Sequence, residues 1–300
     1  MLETPDLKLG AVGRAASWFA YPGGKALNAA RTAGLLGVKV EVTALAPSAW
    51  SANLREFLGK HGCVTLRHIV SPGEGRVCVM LNERGRETVI NTDLSMNLTK
   101  DVFQELAGAV LKDSRRPGFI VFSGSPPPSL SVSRYRALLR MASSGAADLV
   151  LDQTGRWLKA GMPFSPWIIK PNLAEFHSAI GRRTRSWDDM LRALDAVRAQ
   201  GAKRILLSLG AKGCLLVSPE GRWYAPPVRE PASPSGLSPL GSGDALLGGF
   251  LRAVAAGETE DSALKWGVAA ATANLLHRGA CFMSAAEIRG FLPRVRVRIV

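Results

Sequence analysis

Short apolar runs bounded by turn residues alternate with longer stretches of helical period along most of this 300-residue chain. Strands buried on both faces read as continuous apolar runs, and intervening helices supply the crossovers that parallel strands need. The alternation therefore predicts an α/β domain of three layers, with helices on both faces of a mainly parallel central sheet. Strands are expected at Val38–Leu45, Gly118–Phe122, Asp148–Asp152, Trp167–Lys170 and Arg204–Ser208. Helices are expected near Lys25–Leu36, Arg134–Ser143, Trp187–Gln200, Ala245–Ala256 and Asp261–Leu276. Gly210-Ala211-Lys212-Gly213 leads from Ser208 into Cys214–Ser218 as a hairpin turn would. Near the end, Arg294, Arg296 and Arg298 alternate with Val295, Val297 and Ile299, the period of a strand with one solvated face. Two segments, near 10–22 and 75–93, break the α/β rhythm, and in the second Val77–Leu81 and Glu87–Ile90 read as paired strands of a small β-sheet lid. Residues 1–300 thus read as one domain with a lid, and Pro226–Pro239 as a loop.

A hydrophobic content of 47% is enough for a full-sized core. No stretch approaches the roughly 18 consecutive apolar residues of a membrane span. Glu3, Asp6 and Lys8 near the start differ from a basic-then-apolar export signal, so a cytoplasmic protein is expected. Cys63, Cys78, Cys214 and Cys281 are too scattered for a disulfide framework or a zinc pattern. The net charge of +14 favours anionic partners, nucleic acid, phosphorylated metabolites and acidic surfaces alike, and the basic residues are spread along the chain, so charge alone does not choose among them.

Gly241-Ser242-Gly243-Asp244 opens an apolar helix, Ala245–Leu251. Such a turn aims backbone N–H groups and the positive end of the helix dipole at one point, suited to a phosphoryl group gathering charge in transfer. Asp244 would stand beside that point to take a proton from an attacking hydroxyl, or would simply complement the dipole as a first-turn acid. Gly248 and Gly249 inside the helix cost roughly 1 kcal/mol each against alanine, so something must pack closely there. Gly23-Gly24-Lys25-Ala26-Leu27-Asn28 places a cation and an amide at another helix start after paired glycines. Lys170-Pro171-Asn172-Leu173-Ala174-Glu175 follows a strand, and its Asn172 and Glu175 have capping-box spacing. Ser123-Gly124-Ser125 follows another strand at its C-terminal end, where α/β sheets bind ligands.

With these motifs the chain resembles the ribokinase-like (PfkB) carbohydrate kinases from about Leu7 to its C-terminus. The resemblance implies that Gly241, Ser242 and Gly243 form an anion hole and that Asp244 is the catalytic base. It implies acceptor binding by Gly24, Lys25, Asn28 and Ser125, and ATP binding by Lys170, Ser208, Gly210, Gly213 and Asn274. Asn172 and Glu175 are implied to hold Mg²⁺ on the phosphates through water, while Asn274 alone on a helix would more often be exposed. Ser238-Pro239-Leu240 before the turn is similar to the lead-in of 1-phosphofructokinases and tagatose-6-phosphate kinases. The expected acceptor is fructose 1-phosphate, then tagatose 6-phosphate. Alternatives are an unphosphorylated sugar or nucleoside, or a non-catalytic sugar-phosphate or nucleotide-binding paralogue. The expected partners are a sugar phosphate and ATP, with no nucleic acid, no membrane, and room for a homodimer. Family members open on an apolar strand ending in Asp, whereas Met1–Leu9 matches only the segment after it, so that strand is expected to be absent.

Overall fold

A computed structural model describes residues 1–4, 10–60, 62–83, 86–92, 95–228 and 238–300. In chain order the elements begin with β1 (Leu2–Glu3), β2 (Ser17–Trp18), α1 (Lys25–Leu35), β3 (Val40–Ala46), α2 (Ser51–Gly59) and β4 (Val64–Val70). They continue with β5 (Cys78–Glu83), β6 (Arg86–Asn91), α3 (Lys100–Ser114), β7 (Gly118–Ser123), α4 (Val132–Ala142), β8 (Ala147–Asp152) and α5 (Gly155–Gly161). Next come β9 (Ile168–Ile169), α6 (Leu173–Ile180), α7 (Trp187–Arg198), β10 (Ile205–Ser208), β11 (Cys214–Val217) and β12 (Arg222–Ala225). The chain closes with α8 (Ser242–Ala255), α9 (Glu260–Leu275), α10 (Ala285–Phe291) and β13 (Arg298–Ile299).

The central sheet runs in the order β13-β12-β11-β10-β9-β8-β7. Strands β7 to β10 are mutually parallel, joined by crossovers that contain α4, α5, α6 and α7. Beyond β10 every pairing is antiparallel, beginning with the hairpin expected at Gly210–Gly213. For β10–β11 and β11–β12 the cause is loop length, since the turns after β10 and β11 are too short for a crossover and can only reverse the chain; β13 returns antiparallel to β12 after α8, α9 and α10. Side chains alternate across the sheet. Leu149, Leu151, Ile169, Ile205 and Leu207 join one core with α3, α4 and α7, while Val150, Ile168 and Leu206 join a second core with α8, α9 and α10. That is a three-layer ribokinase-like α/β/α architecture.

Two smaller sheets complete the fold. β1, β2, β5 and β6 form a four-stranded sheet in the order β2-β1-β5-β6, which covers the segments expected to form the lid. β3 and β4 pair in parallel as a separate two-stranded sheet, and β7 is an edge of the central sheet among the described residues. The Arg294–Ile299 pattern is corrected: Leu292–Arg294 is a 3-10 turn with Pro293 inside it, and only Arg298–Ile299 is strand. Ile299, expected to face the protein, is 81% exposed. Of the Pro226–Pro239 loop, residues 229–237 lie outside the described residues.

The glycines of α8 have a packing cause. A Cβ at Gly248 would lie 2.5 Å from the Ala29 carbonyl oxygen of α1, and one at Gly249 would lie 2.6 Å from the Trp266 carbonyl oxygen of α9. Three helices therefore meet almost backbone to backbone. Gly248→Ala and Gly249→Ala would each gain roughly 1 kcal/mol of helix propensity but force backbone apart, an overpacking cost of typically 1–3 kcal/mol. Both should lower the urea midpoint. Gly108→Ala in α3, where a Cβ meets nothing within 4 Å, should raise it; a gain in all three would remove close packing as the reason for the α8 glycines.

Candidate active site

The C-terminal ends of β7, β8 and β9 lie side by side because these strands are parallel; β7 ends on Ser123, β8 on Asp152, and Lys170 follows β9 directly. Asp152 closes β8, with a side chain only 1% exposed. Its Oδ2 accepts a hydrogen bond from Ser123 Oγ at 2.9 Å, and its Oδ1 lies 3.0 Å from Lys170 Nζ, just after β9. Burial alone would push the Lys170 ammonium down, but Asp152, Asp244 and Glu175 around it outweigh that and raise it. A deeply buried lysine thus keeps its charge.

Two helices bring the remaining groups. At the start of α1, Lys25 Nζ lies 3.8 Å from Asp152 and 3.6 Å from Glu175, on a side chain 39% exposed. One turn on, buried Asn28 donates from Nδ2 to Asp244 Oδ2 at 2.8 Å. Asp244, in the first turn of α8, is itself buried. Burial raises its carboxyl to about 6; Asn28 pulls the other way, Asp152 pushes it further up, and Lys170 and Lys25 pull it down. A carboxylate poised there can accept a proton at neutral pH.

Gly241 caps α8 in the left-handed region, φ 78°, and a Cβ on it would lie 2.5 Å from the Ala280 side chain. The Ser242 N–H donates to the Pro239 carbonyl at 3.1 Å and the Asp244 N–H to the Gly241 carbonyl at 3.0 Å. The amides of this turn that have no partner among the described residues are those of Gly241 and Gly243. The anion hole expected from Gly241, Ser242 and Gly243 is therefore narrowed: the Ser242 amide is already engaged. Lys170 stands over the same place, its Nζ 3.3 Å from where a Cβ of Gly243 would be.

Asn172 and Glu175 form the capping box of α6, with Glu175 N donating to Asn172 Oδ1 and Asn172 N to Glu175 Oε2, both at 2.8 Å. Asn172 pairs with Ser208 through an isolated bridge, which puts the end of β10 beside them. Gly210 follows in a short turn with φ 59°, and a Cβ on Gly213 would meet the Ala225 carbonyl oxygen at 2.1 Å, so this glycine has a structural cause. Gly24 also has a positive φ, 131°, as the residue before α1. Ser125 is exposed beyond the end of β7. Asn274 is wholly buried, with its amide bonded to the Leu240 carbonyl, the Ser242 hydroxyl and the Cys281 N–H. Sequence reasoning missed Asp152, and the available signal was an acid at the C-terminal end of the apolar strand Ala147–Asp152. For a magnesium ion the fit rests on donor chemistry. Among the described residues no group of three or more His, Cys, Asp or Glu could hold a metal alone. The Glu175 carboxylate and Asn172 amide are hard oxygen donors of the kind Mg²⁺ uses beside phosphate and water.

Comparison with known proteins places this geometry. The model of the pfkB family carbohydrate kinases matches residues 3–287. The 1-phosphofructokinase of Haemophilus influenzae is 26% identical over 245 residues, covering 82% of this chain and 77% of that protein. That of Escherichia coli strain K12 is 26% identical over 267 residues, 89% and 84% of the two chains. Phosphofructokinase-2 from Escherichia coli, in complex with potassium, superposes with a TM-score of 0.88 at 24% identity over 97% of this chain and 94% of that one. Arabidopsis thaliana ribokinase with ribose and ATP gives 0.74 at 18% identity, over 97% and 94%. Family and relatives define the class: an ATP-dependent sugar kinase. The chain belongs to the pfkB family of carbohydrate kinases, and within it is a sugar-phosphate kinase.

With the Asp244 carboxyl raised to about 6, activity that needs it unprotonated should fall as pH drops through that value. A pH profile of kcat/KM should show an acid limb with a midpoint near 6. In Asn28→Ala the carboxylate loses a donor to its charged form, so the limb should move to higher pH. A limb unmoved by Asn28→Ala would assign the titration to another group.

Proposed function

We propose that this kinase transfers the γ-phosphoryl of ATP to the free hydroxymethyl of a ketohexose phosphate, fructose 1-phosphate first and tagatose 6-phosphate second. The observation that carries the reading is the buried carboxylate of Asp244, held by Asn28 and set one residue beyond the Gly243 amide, with the Lys170 ammonium over the same turn. In this reading Asp244 accepts the proton of the acceptor hydroxyl, and the Gly241 and Gly243 amides with Lys170 face the phosphoryl as its charge spreads. Lys25, half exposed between two carboxylates, meets the acceptor's phosphate or hydroxyls beside Gly24 and Ser125. Ser208, Gly210 and Gly213 line the nucleotide side. Mg²⁺ on the ATP phosphates, held through water by Asn172 and Glu175, supplies charge neutralisation there.

The acceptor assignment is supported by Ser238-Pro239-Leu240 before the turn and by the 1-phosphofructokinase relatives. An ADP-release assay over a panel of sugars and sugar phosphates checks it, and turnover of ribose or a nucleoside with none of any ketohexose phosphate would contradict it. The role of Asp244 is checked by Asp244→Asn, which keeps the volume but cannot take the proton. Its kcat should fall roughly 10²- to 10⁴-fold while the melting temperature stays near wild type. A variant that melts far lower yet keeps its kcat per folded molecule would make Asp244 structural.

A further inference from the structure

We propose that Asn274 is a positioning residue for phosphoryl transfer, holding the turn 240–243 so that its free amides keep their aim. The inference rests on reading that turn as the phosphoryl site. Asn274 lies near the C-terminal end of α9, is 0% exposed, and spends its amide entirely on the surroundings of the turn. Its Nδ2 donates to the Leu240 carbonyl at 2.8 Å and to Ser242 Oγ at 3.0 Å, and its Oδ1 accepts from the Cys281 N–H at 2.7 Å. A side-chain amide offers two donor hydrogens and two acceptor positions, so three of the four are committed here. The two donor bonds bracket Gly241, the left-handed cap residue, from either side in the chain.

The acceptor bond secures the backing of the turn. Cys281 has φ 60°, one of two non-glycine residues with positive φ among the described residues. A non-glycine residue stays in that region only where its surroundings hold it. The Asn274 carbonyl supplies one such hold. Ala280, just before it, is fixed as well: its N–H donates to the Tyr21 hydroxyl at 2.9 Å and its carbonyl accepts from Arg31 at 3.2 Å. The fixed segment then packs on Gly241, whose absent Cβ would lie 2.8 Å from Ala280 Cα, and Cys281 Sγ donates to the Gly241 carbonyl at 3.7 Å. Asn274 is thus the group that ties the front of the turn, Leu240 and Ser242, to its back, Cys281. Its three partners, the Leu240 carbonyl, the Ser242 hydroxyl and the Cys281 N–H, are all protein groups in or against the turn.

This placement makes a kinetic distinction. Misplacing transfer-step donors by a fraction of an ångström weakens what is bound in the transition state more than what is bound in the ground state. Losing a whole oxyanion donor typically costs about 10²- to 10³-fold in kcat, so loosening two should cost roughly 10- to 100-fold. Asn274→Ala should therefore lower kcat roughly 10- to 100-fold, with the KM for ATP within about threefold of wild type. Binding of ADP with aluminium fluoride, Mg²⁺ and the best sugar phosphate of the panel should weaken in step with kcat, because that complex mimics the transferring phosphoryl, whereas binding of ATP alone should not.

Asn274→Asp keeps the side-chain volume and the bond to Cys281 but sets an oxygen against the Leu240 carbonyl. It should show the same pattern, and it decides the question if Asn274→Ala does not fold. A wild-type kcat per folded molecule in both variants, whatever their melting temperatures, overturns the proposal. So does a KM for ATP raised tenfold or more at unchanged kcat, which is the signature of a nucleotide contact. Asp244→Asn, run beside them, reports on the reading of the site itself, so an active Asn274→Ala next to an inactive Asp244→Asn sinks this inference alone.

Discussion

The buried ion pair between Asp152 and Lys170 is the interaction on which the site depends. Two charges taken out of water are costly unless their geometry is good and their remaining hydrogen-bonding positions are filled. Here Ser123 donates a hydrogen bond to one carboxylate oxygen and the Lys170 ammonium pairs with the other at 3.0 Å; Ser123 ends β7 and Lys170 follows β9. The pair can form only if β7, β8 and β9 are in their observed register. Fold and site are thereby the same constraint: the strands deliver the pair, and the pair sets a fixed cation over the Gly243 turn.

The second requirement is that α8 come close enough to use that cation. Gly248 and Gly249 let α8 approach α1 and α9 to backbone contact, which brings Asn28 within 2.8 Å of Asp244 and Asn274 within reach of Leu240 and Ser242. Small residues in the middle of the helix thus set the distances at its start. The positive surroundings of Asp244 then keep a buried acid usable. Burial pushes its carboxyl up and the Asn28 amide, Lys170 and Lys25 pull it down, which leaves it at about 6, where it can serve as a base near neutral pH.

Much of this was legible along the chain, and the reasons differ by residue. Lys25, Asn28, Asn172, Glu175 and Asp244 stand in short segments with local grammar: paired glycines, a capping box, a glycine turn opening a helix. The central strands declared themselves as apolar runs. Asp152 was not legible, because its importance lies in which strand ends stand beside it. The contacts of Asn274 were not legible for the same reason, since Leu240 and Ser242 lie 34 and 32 residues away in sequence. In the antiparallel half of the sheet the β10–β11 hairpin was legible in Gly210–Gly213, while the β12–β13 pairing spans α8, α9 and α10 and was not. At the C-terminus, period-two alternation misled because the 3-10 turn Leu292–Arg294, with Pro293 inside it, takes up the first residue of the expected strand, and only Arg298–Ile299 pairs.

The central claim is spatial: a transferring phosphoryl sits between Asp244, the Gly241 and Gly243 amides and Lys170. A crystal structure with ADP, aluminium fluoride, Mg²⁺ and a ketohexose phosphate measures it directly. The account predicts the acceptor hydroxyl oxygen within about 2.6–3.2 Å of the Asp244 carboxylate, and the fluoride group facing Lys170 and the turn amides. A complex with the acceptor hydroxyl far from Asp244, or with the fluoride group away from the turn that opens α8, would contradict it.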